Sequence, residues 1–424
     1  MRISTNMIYQ MGASRISDLQ ASLVKTQQQL STQRRILTPA DDPVASASII
    51  GISQSLSINT QLATNRQNAK NLLSQEDSLL SSVTSLLQDA KTLVVNGGNG
   101  ALEDSQRQYL SAELRGRFDE LLGLANSRDG SGNFMFGGYQ IASQPFSETV
   151  TGAQYNGDQG RRMLQIGTSR QIALNDSGSS VFENIKTGNG TFLTAAAAAN
   201  TGSGIISTGA VVDGAALTDH NYSVEFTVVP GAVQYAPDTT TFTVRDDSLV
   251  PPQYLDTATG LFNLAAPPVP GTTYVSGQAI SFDGLQFDIK GVPADGDTFT
   301  VTPSANESIF TTLNNLLTTL EASGSGATGQ AKLTNGLNAA NNSIDNALDN
   351  LLEVRASIGT RLNEIDVLDS TGDDLHIQYT EAMNQLQEID LAEAISNFSQ
   401  QQLTLQAAQQ SFTKIAQLSV FNYI

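Results

Sequence analysis

His220 and His376 are the only imidazoles in this 424-residue chain, and cysteine is absent. Proton transfer by histidine and attack by a thiolate therefore have few places to start. Asp373, Asp374 and His376 bring together carboxylate and imidazole, donor types that a divalent metal accepts. On a helix, however, they read as a solvated turn. Asn96-Gly97-Gly98-Asn99-Gly100 precedes a helix, as phosphate-cradling loops do, yet it follows a helix rather than a strand and lacks the P-loop lysine. Asp295-Gly296-Asp297 resembles a fragment of a calcium loop, but the spaced acidic ligands do not follow. It fits a hairpin turn before a strand. No serine is set in a nucleophile elbow. The reading is a non-enzymatic protein with no catalytic, cofactor-binding or metal-ligating residue and no cofactor.

Charge and composition narrow the partners. Asp and Glu number 41 against 22 Lys and Arg, a formal net charge of −19. Nucleic acid and anionic membranes both demand a basic face, so neither is an expected partner. The chain has no apolar run of about eighteen residues that could span a bilayer. Met1-Arg2-Ile3-Ser4-Thr5-Asn6-Met7 lacks an apolar core and a cleavage pattern, so export is expected to bypass the general signal-peptide route. The absence of tryptophan, with 6% aromatic residues, suits thin bundles and small sheets better than one thick core.

The element that organises the chain lies near its end. Leu337, Ile344, Leu351, Ile358 and Ile365 recur every seventh residue, continued by Tyr379 and Leu386. Ala340, Ala347, Val354, Leu368, Leu375, Ala382 and Ile389 form a second row three residues on. Two such rows are the seam of a long helix packed on other helices. Arg361 puts a charge in the second row, Gly359 costs about 1 kcal/mol of propensity, and Ser370-Thr371-Gly372 is a candidate break. A second long helix is expected from about Val44 to about Val95, with Leu72, Leu79, Leu86 and Leu93 seven apart beside Leu73, Leu80, Val83, Leu87 and Ala90. A third carries Leu110, Leu114, Phe118 and Leu121.

From Asn133 the texture changes to Gly, Thr, Val and Pro. Strands are expected at Tyr222–Val228, Thr240–Val244, Ile280–Phe282, Leu285–Ile289 and Thr298–Val301, with an Asp283-Gly284 hairpin turn. Ala195 to Gly204 reads as a linker or disordered loop. The fold class is α+β and multidomain: a long helical-bundle or coiled-coil rod made from both chain ends, with an inserted β-rich domain.

Both termini carry narrow apolar stripes: Ile16, Leu19, Leu23 and Leu30 at one end, Leu391, Phe398, Leu405, Phe412 and Ile415 at the other. Neither helix has another obvious partner, so they are expected to pair with each other as an assembly interface. Two narrow stripes cover little, which leaves Ile36, Leu37, Val420, Phe421 and Ile424 for other molecules. The first helix is expected to stop at a stiff corner, Pro39-Ala40-Asp41-Asp42-Pro43, where Asp42 caps the next helix and Pro43 opens it. The expected division is 1–40 with 390–424 as an assembly core disordered in the monomer, 41–190 with 304–389 as the helical rod, and 191–303 as the outer β domain.

These residues together resemble the flagellin superfamily. The resemblance rests on Asp41-Asp42 after Arg34-Arg35-Ile36, the helical hairpin, the β insertion and Asp390-Leu391-Ala392-Glu393-Ala394. The opening Met1–Thr5, the Pro39–Pro43 corner, Phe136-Gly137-Gly138 and the ending Leu418–Ile424 are similar to its hook-associated branch, found at the hook–filament junction. Flagellin itself usually has alanines where Pro43 and Val44 stand. Gln33 departs from the family, which commonly places glycine before the basic pair, and implies a straighter end to the first helix.

The resemblance implies a structural protein exported through the flagellar type III apparatus and located outside the cell in the flagellum. Its implied partners are the first hook–filament junction protein, flagellin, copies of itself in a ring, and an export chaperone. The alternatives are a minor flagellin that builds filament, and a surface adhesin whose β insertion binds a ligand.

Overall fold

The computed structural model describes residues 5–100, 102–231, 238–322, 324 and 326–417. Helices α1 (Thr5–Thr32), α2 (Pro43–Gly97) and α3 (Asp104–Ala125) come first. Strands β1 (Phe146–Thr149), β2 (Gly152–Tyr155), β3 (Met163–Gln165) and β4 (Gln171–Ala173) follow, then the short α4 (Gly178–Phe182) and β5 (Ile185–Lys186). The middle of the chain holds β6 (Phe192–Ala196), β7 (Ile205–Ile206), β8 (Ala210–Val211), β9 (Tyr222–Val229), β10 (Thr239–Asp246) and β11 (Gln253–Asp256). It continues with β12 (Leu261–Leu264), β13 (Thr272–Thr273), β14 (Ala279–Phe282), β15 (Leu285–Lys290), β16 (Thr298–Pro303) and β17 (Asn306–Glu307). Helices α5 (Ile309–Ala322), α6 (Gly326–Gln387) and α7 (Leu391–Gln417) close it. The fold is α+β, with long helices from both chain ends and a β-rich middle.

The chain divides into two compact units. One comprises Met1–Gln67, Ile166–Thr168 and Ile365–Ile424; the other comprises Asn68–Gln165 and Ser169–Glu364.

In the larger unit the heptad rows of α6 are covered. Leu337, Ile344, Leu351 and Ile358 are buried, as are Leu73, Leu80 and Leu87 of α2. Each such side chain contributes about 1.5–3 kcal/mol. Arg355 pairs with Asp77 at 2.9 Å and Lys91 with Asp345, so α2 and α6 run antiparallel here. Arg361, the charge in the seam, is matched by Asp176. Helices α3 and α5 add Phe118 and Phe310, and Phe146 and Phe182 stand 5.2 and 6.0 Å from Phe310.

The β-rich middle is built as a seven-stranded antiparallel sheet, β12-β11-β10-β9-β16-β6 with β13 also on β10, and a four-stranded sheet, β14-β15-β7 with β8 also on β15. Tyr222, Val224, Phe226 and Phe299 from the first share a core with Phe282, Phe287 and Ile289 from the second. Asp283 and Gly284 take φ values of 41° and 76°, the paired left-handed conformation of a tight hairpin turn.

The alanine run begins inside a strand, and only residues 197–204 form the expected loop. Ala195 and Ala196 lie in β6, opposite Thr300 and Phe299 of β16. Beyond it, the Asn200 side chain exchanges two hydrogen bonds with the Thr298 backbone at 2.8 and 2.9 Å. The strand's partner lies a hundred residues downstream, so alanine composition alone carries no sign of it. The chain enters and leaves this β region side by side: β5 pairs with β17, and Thr187 N–H donates to Ala305 O at 3.0 Å.

A row of asparagines on α6 meets the chain between α4 and β7. Asn335 accepts the Ile206 N–H at 3.0 Å and donates to Gly204 O at 3.0 Å. Asn346 donates to Lys186 O and Gly188 O at 2.6 and 2.9 Å, and Asn350 to Ser180 O and Val181 O at 3.1 and 2.9 Å.

In the smaller unit α6 runs through Ser370-Thr371-Gly372 without a break. The reason is packing against α2. Asn59 Nδ2 donates to Gly372 O at 2.7 Å, and a Cβ at position 372 would lie 2.4 Å from Arg66 Nη2. Arg66, buried to 3% exposure, pairs with Asp369 and donates to Ile166 O at 3.1 Å. Glycine here admits a guanidinium that an ordinary side chain would exclude, and these contacts outweigh its poor helix propensity. Ile365 is buried, but Leu368, Leu375, Tyr379, Ala382 and Leu386 are only half-buried, so the seam thins along this part of α6.

Candidate assembly interface

The corner after α1 is fixed by backbone and carboxylate together. Helix α1 ends at Thr32, short of Thr38-Pro39, because Gln33 takes a φ of 55°. The Arg34 N–H then reaches back to Gln29 O at 3.1 Å, which is the six-to-one bond of a Schellman ending. The expected straightening is thus absent: Gln33 adopts the left-handed conformation that glycine favours. From there Arg34 forms an antiparallel bridge with Glu388, and Arg35 N–H donates to Gln387 O at 2.7 Å.

Asp41 Oδ2 accepts the N–H groups of Leu37 and Thr38 at 3.0 and 2.8 Å, and Oδ1 meets Lys25 Nζ at 2.6 Å. The lysine contact, then those two amides, hold the Asp41 carboxyl well below the usual carboxylate range. Asp42 Oδ1 accepts the Ala45 N–H at 3.0 Å, capping α2, whose first residue is Pro43. Pro39 is exposed in the turn between them. Arg35 approaches Asp42 at 3.6 Å.

Helices α1 and α7 lie against each other and run in opposite directions. Tyr9 stacks on Phe412 with centroids 4.6 Å apart, and a Cβ at Gly12 would fall 2.8 Å from the same ring. Further along, Thr26 Oγ1 donates to Gln401 Oε1 at 3.0 Å. Ile16, Leu19, Leu23 and Leu30 are half-buried, as are Phe398, Leu405 and Phe412, whereas Leu391 is exposed. The side chain of Ile415, and Val420, Phe421 and Ile424, lie outside the described residues. Met7, Met11 and Val24 of α1 and Ile395 and Leu403 of α7 are at least half exposed, with Leu403 at 68%. A paired but half-covered helix couple, tied to a rigid corner, is suited to packing against further helices rather than to chemistry.

The chain is similar to known proteins in sequence and in fold. The family described as the bacterial flagellin N-terminal helical region matches residues 3–141. The chain is 28% identical to flagellar hook-associated protein 3 of Escherichia coli (strain K12) over 421 residues, 99% of each chain. The protein of that name from Salmonella typhimurium is 26% identical over the same share of both. Among solved structures, the flagellar junction protein FlgL from Legionella pneumophila superposes with a TM-score of 0.69 at 29% identity, over 80% of this chain and 100% of that one. FlgL from Xanthomonas campestris gives 0.67 at 26%, over 78% and 99%.

The chain resembles flagellar hook-associated protein 3 along its whole length.

Sequence patterns marked the apolar rungs of the terminal helices but not the residues that set their contact. Gly12, Thr26 and Gln401 look like ordinary helix-surface residues. Thr26 is buried nonetheless, and Gly12 makes room for an aromatic ring. The available signal was a small residue on α1 matched by a phenylalanine on α7, which has meaning only once the two helices are paired. Asp373, Asp374 and His376 sit on the continuous α6, and no group of three metal-ligating side chains occurs among the described residues.

Proposed function

We propose that this chain is a structural junction protein of the bacterial flagellum, connecting the hook, through the first junction protein, to the flagellin filament. The observation that carries this reading is end-to-end similarity: 99% of the chain aligns with 99% of a hook-associated protein 3. The half-covered stripes of α1 and α7 support it, because copies of the chain and its flagellar neighbours would supply the missing cover. A minor flagellin and an adhesin are less favoured, since both the curated relatives and the well-superposed solved structures are junction proteins.

In this reading residues 1–40 and 390–424 are the assembly core, 41–190 with 304–389 the helical support, and 191–303 an outer module. Ile16, Leu19, Leu23, Leu30, Leu391, Phe398, Leu405 and Phe412 face the core, and Pro39, Asp41, Asp42 and Pro43 set its angle. The protein works by packing, not by catalysis. It leaves the cell through the flagellar export route, escorted by a chaperone, and closes as a ring of copies. No helix among the described residues is long and apolar enough to cross a membrane.

Electron microscopy of cells lacking the chain tests the proposal. The expected outcome is bare hooks with flagellin released into the medium. Normal filaments on those cells would overturn it.

A further inference from the structure

One seam position of α2 carries a carboxyl group where heptad packing asks for an apolar side chain. Leu62, Ala69, Glu76, Val83 and Ala90 lie seven apart, and all are buried. Glu76 has no exposed surface. Its Oε1 accepts the Asp176 N–H at 3.0 Å, while Oε2 has no hydrogen-bond partner among the described residues. Next to Asp176, Asn175 accepts the Arg162 N–H at 2.9 Å, yet its buried Nδ2 is likewise without a partner.

The Asp176 carboxylate is buried too, but it is paired, with Arg361 of α6 and with Arg161 at 3.5 Å. Arg361 also donates to Ala173 O, at the end of β4, at 3.2 Å. Three pieces of chain therefore meet at one point: α2 through Glu76, α6 through Arg361, and the 161–177 segment that carries β3 and β4.

Of the charges that face Glu76, Asp176 favours its neutral form, while Arg361 and Arg162 oppose it. From the 161–177 segment come Asp176, Arg161 and Arg162, and from α6 comes Arg361. On α2 itself the adjacent Asp77 is engaged with Arg355 of α6. The arginines nearest Glu76 are already committed: Arg361 and Arg161 to Asp176, and Arg162 Nε to Asn175 Oδ1 at 3.4 Å. An ionised Glu76 would thus be a second buried carboxylate beside Asp176, with one oxygen unsolvated, a costly arrangement. Burial first, and the Asp176 charge second, push its carboxyl up to about 8.

We propose that Glu76, Asp176 and Arg361 form a pH-sensitive latch, which clamps the 161–177 segment onto α2 and α6 while Glu76 is protonated and loosens when Glu76 ionises. The direction follows from linkage. A glutamate in the unfolded chain ionises near 4.5, and the folded chain holds the proton to about 8. The latch's contribution to stability is therefore complete below the lower value, declines as pH rises, and is lost above the upper one.

The test compares the full chain with Glu76→Gln, which keeps the shape and one acceptor but cannot ionise. Thermal melting and amide exchange of residues 171–177 are measured at about pH 5 and about pH 9, on either side of the transition. At the lower pH the two chains should melt together. At the higher pH the wild type should melt several degrees below the variant, and its 171–177 amides should exchange on the order of tenfold faster or more. Parallel pH dependence of the two chains would overturn the latch. Should Glu76→Gln fail to fold, the wild type alone decides. After correction for intrinsic rates, exchange in 171–177 must accelerate with pH relative to α3, and a constant ratio sinks the proposal.

Discussion

Thr26 Oγ1 donates to Gln401 Oε1 across 3.0 Å, one polar tie between two helices that otherwise meet through apolar side chains. A polar contact in an apolar seam favours one register, because a slip gives up the hydrogen bond. The ring of Phe412 seated on Gly12 fixes the same register sterically. Gly12→Leu should force that ring away and cost about 1–3 kcal/mol of α1–α7 pairing. Thr26→Val should cost about 1 kcal/mol. The measurement is filament loss from sheared cells carrying each variant. Gly12→Leu flagella as robust as wild type would show that this pairing is not used in the assembled junction.

The terminal helices are expected to depend on assembly. Their stripes are half-buried even when paired, and ordering each residue costs about 1–2 kcal/mol of backbone entropy. Residues 1 to about 38 and about 391 to 424 should therefore be disordered in a dilute monomer and helical once neighbours cover them. Limited proteolysis should trim both ends and spare the rest. Slow amide exchange throughout both terminal segments of the monomer would contradict this.

Leu351 is 2% exposed in the α6 seam. Leu351→Asp would place an unpaired carboxylate among Leu and Ile side chains, at a cost of about 3–5 kcal/mol. Cooperative unfolding of the helical part should be lost or its midpoint sharply lowered. An unchanged melting temperature would remove Leu351 from the seam.

At Gln33 the backbone, not the side chain, is under constraint. A non-glycine residue with positive φ is disfavoured by about 1–2 kcal/mol, more so when β-branched. Gln33→Gly should keep the corner and the melting temperature, whereas Gln33→Val should destabilise the α1 ending. Exchange rates of the Arg34 and Arg35 amides, which bond Gln29 O and Gln387 O, report the outcome directly. Equal rates in the two variants would mean the turn is not set here.

The β region should be removable as a unit, provided the cuts respect its base. Cutting within Ala195 or Thr300 would split the β6–β16 pair, whereas joining Thr187 to Ala305 uses ends that are already hydrogen-bonded. The shortened chain should retain its helical circular dichroism, with Asn335 satisfied by water instead. Loss of helix would make the β region part of the main core. Asn346→Ala in the full chain should cost about 1 kcal/mol and speed exchange around residues 186–190.

What the sequence determines here is what repeats locally. Leu337, Ile344, Leu351 and Ile358 announce a helix because a period of seven is a property of the chain's own geometry, and Asp283-Gly284 announces a turn because few residue pairs accept positive φ twice in succession. Asp42 before Pro43 marks a helix start by the same local logic. The terminal stripes were legible as apolar rows, and so was their pairing, by elimination. Only the tertiary structure decides matters that depend on a partner elsewhere in the chain. Ala195 becomes a strand residue because Thr300 lies beside it. Gly372 stays in a helix because Arg66 occupies the space a side chain would need, and Glu76 is tolerated in a seam because Asp176 and Arg361 arrive from other segments. Polar and small residues carry no period that reveals whom they meet, so their roles appear only when distant segments are brought within a few ångströms.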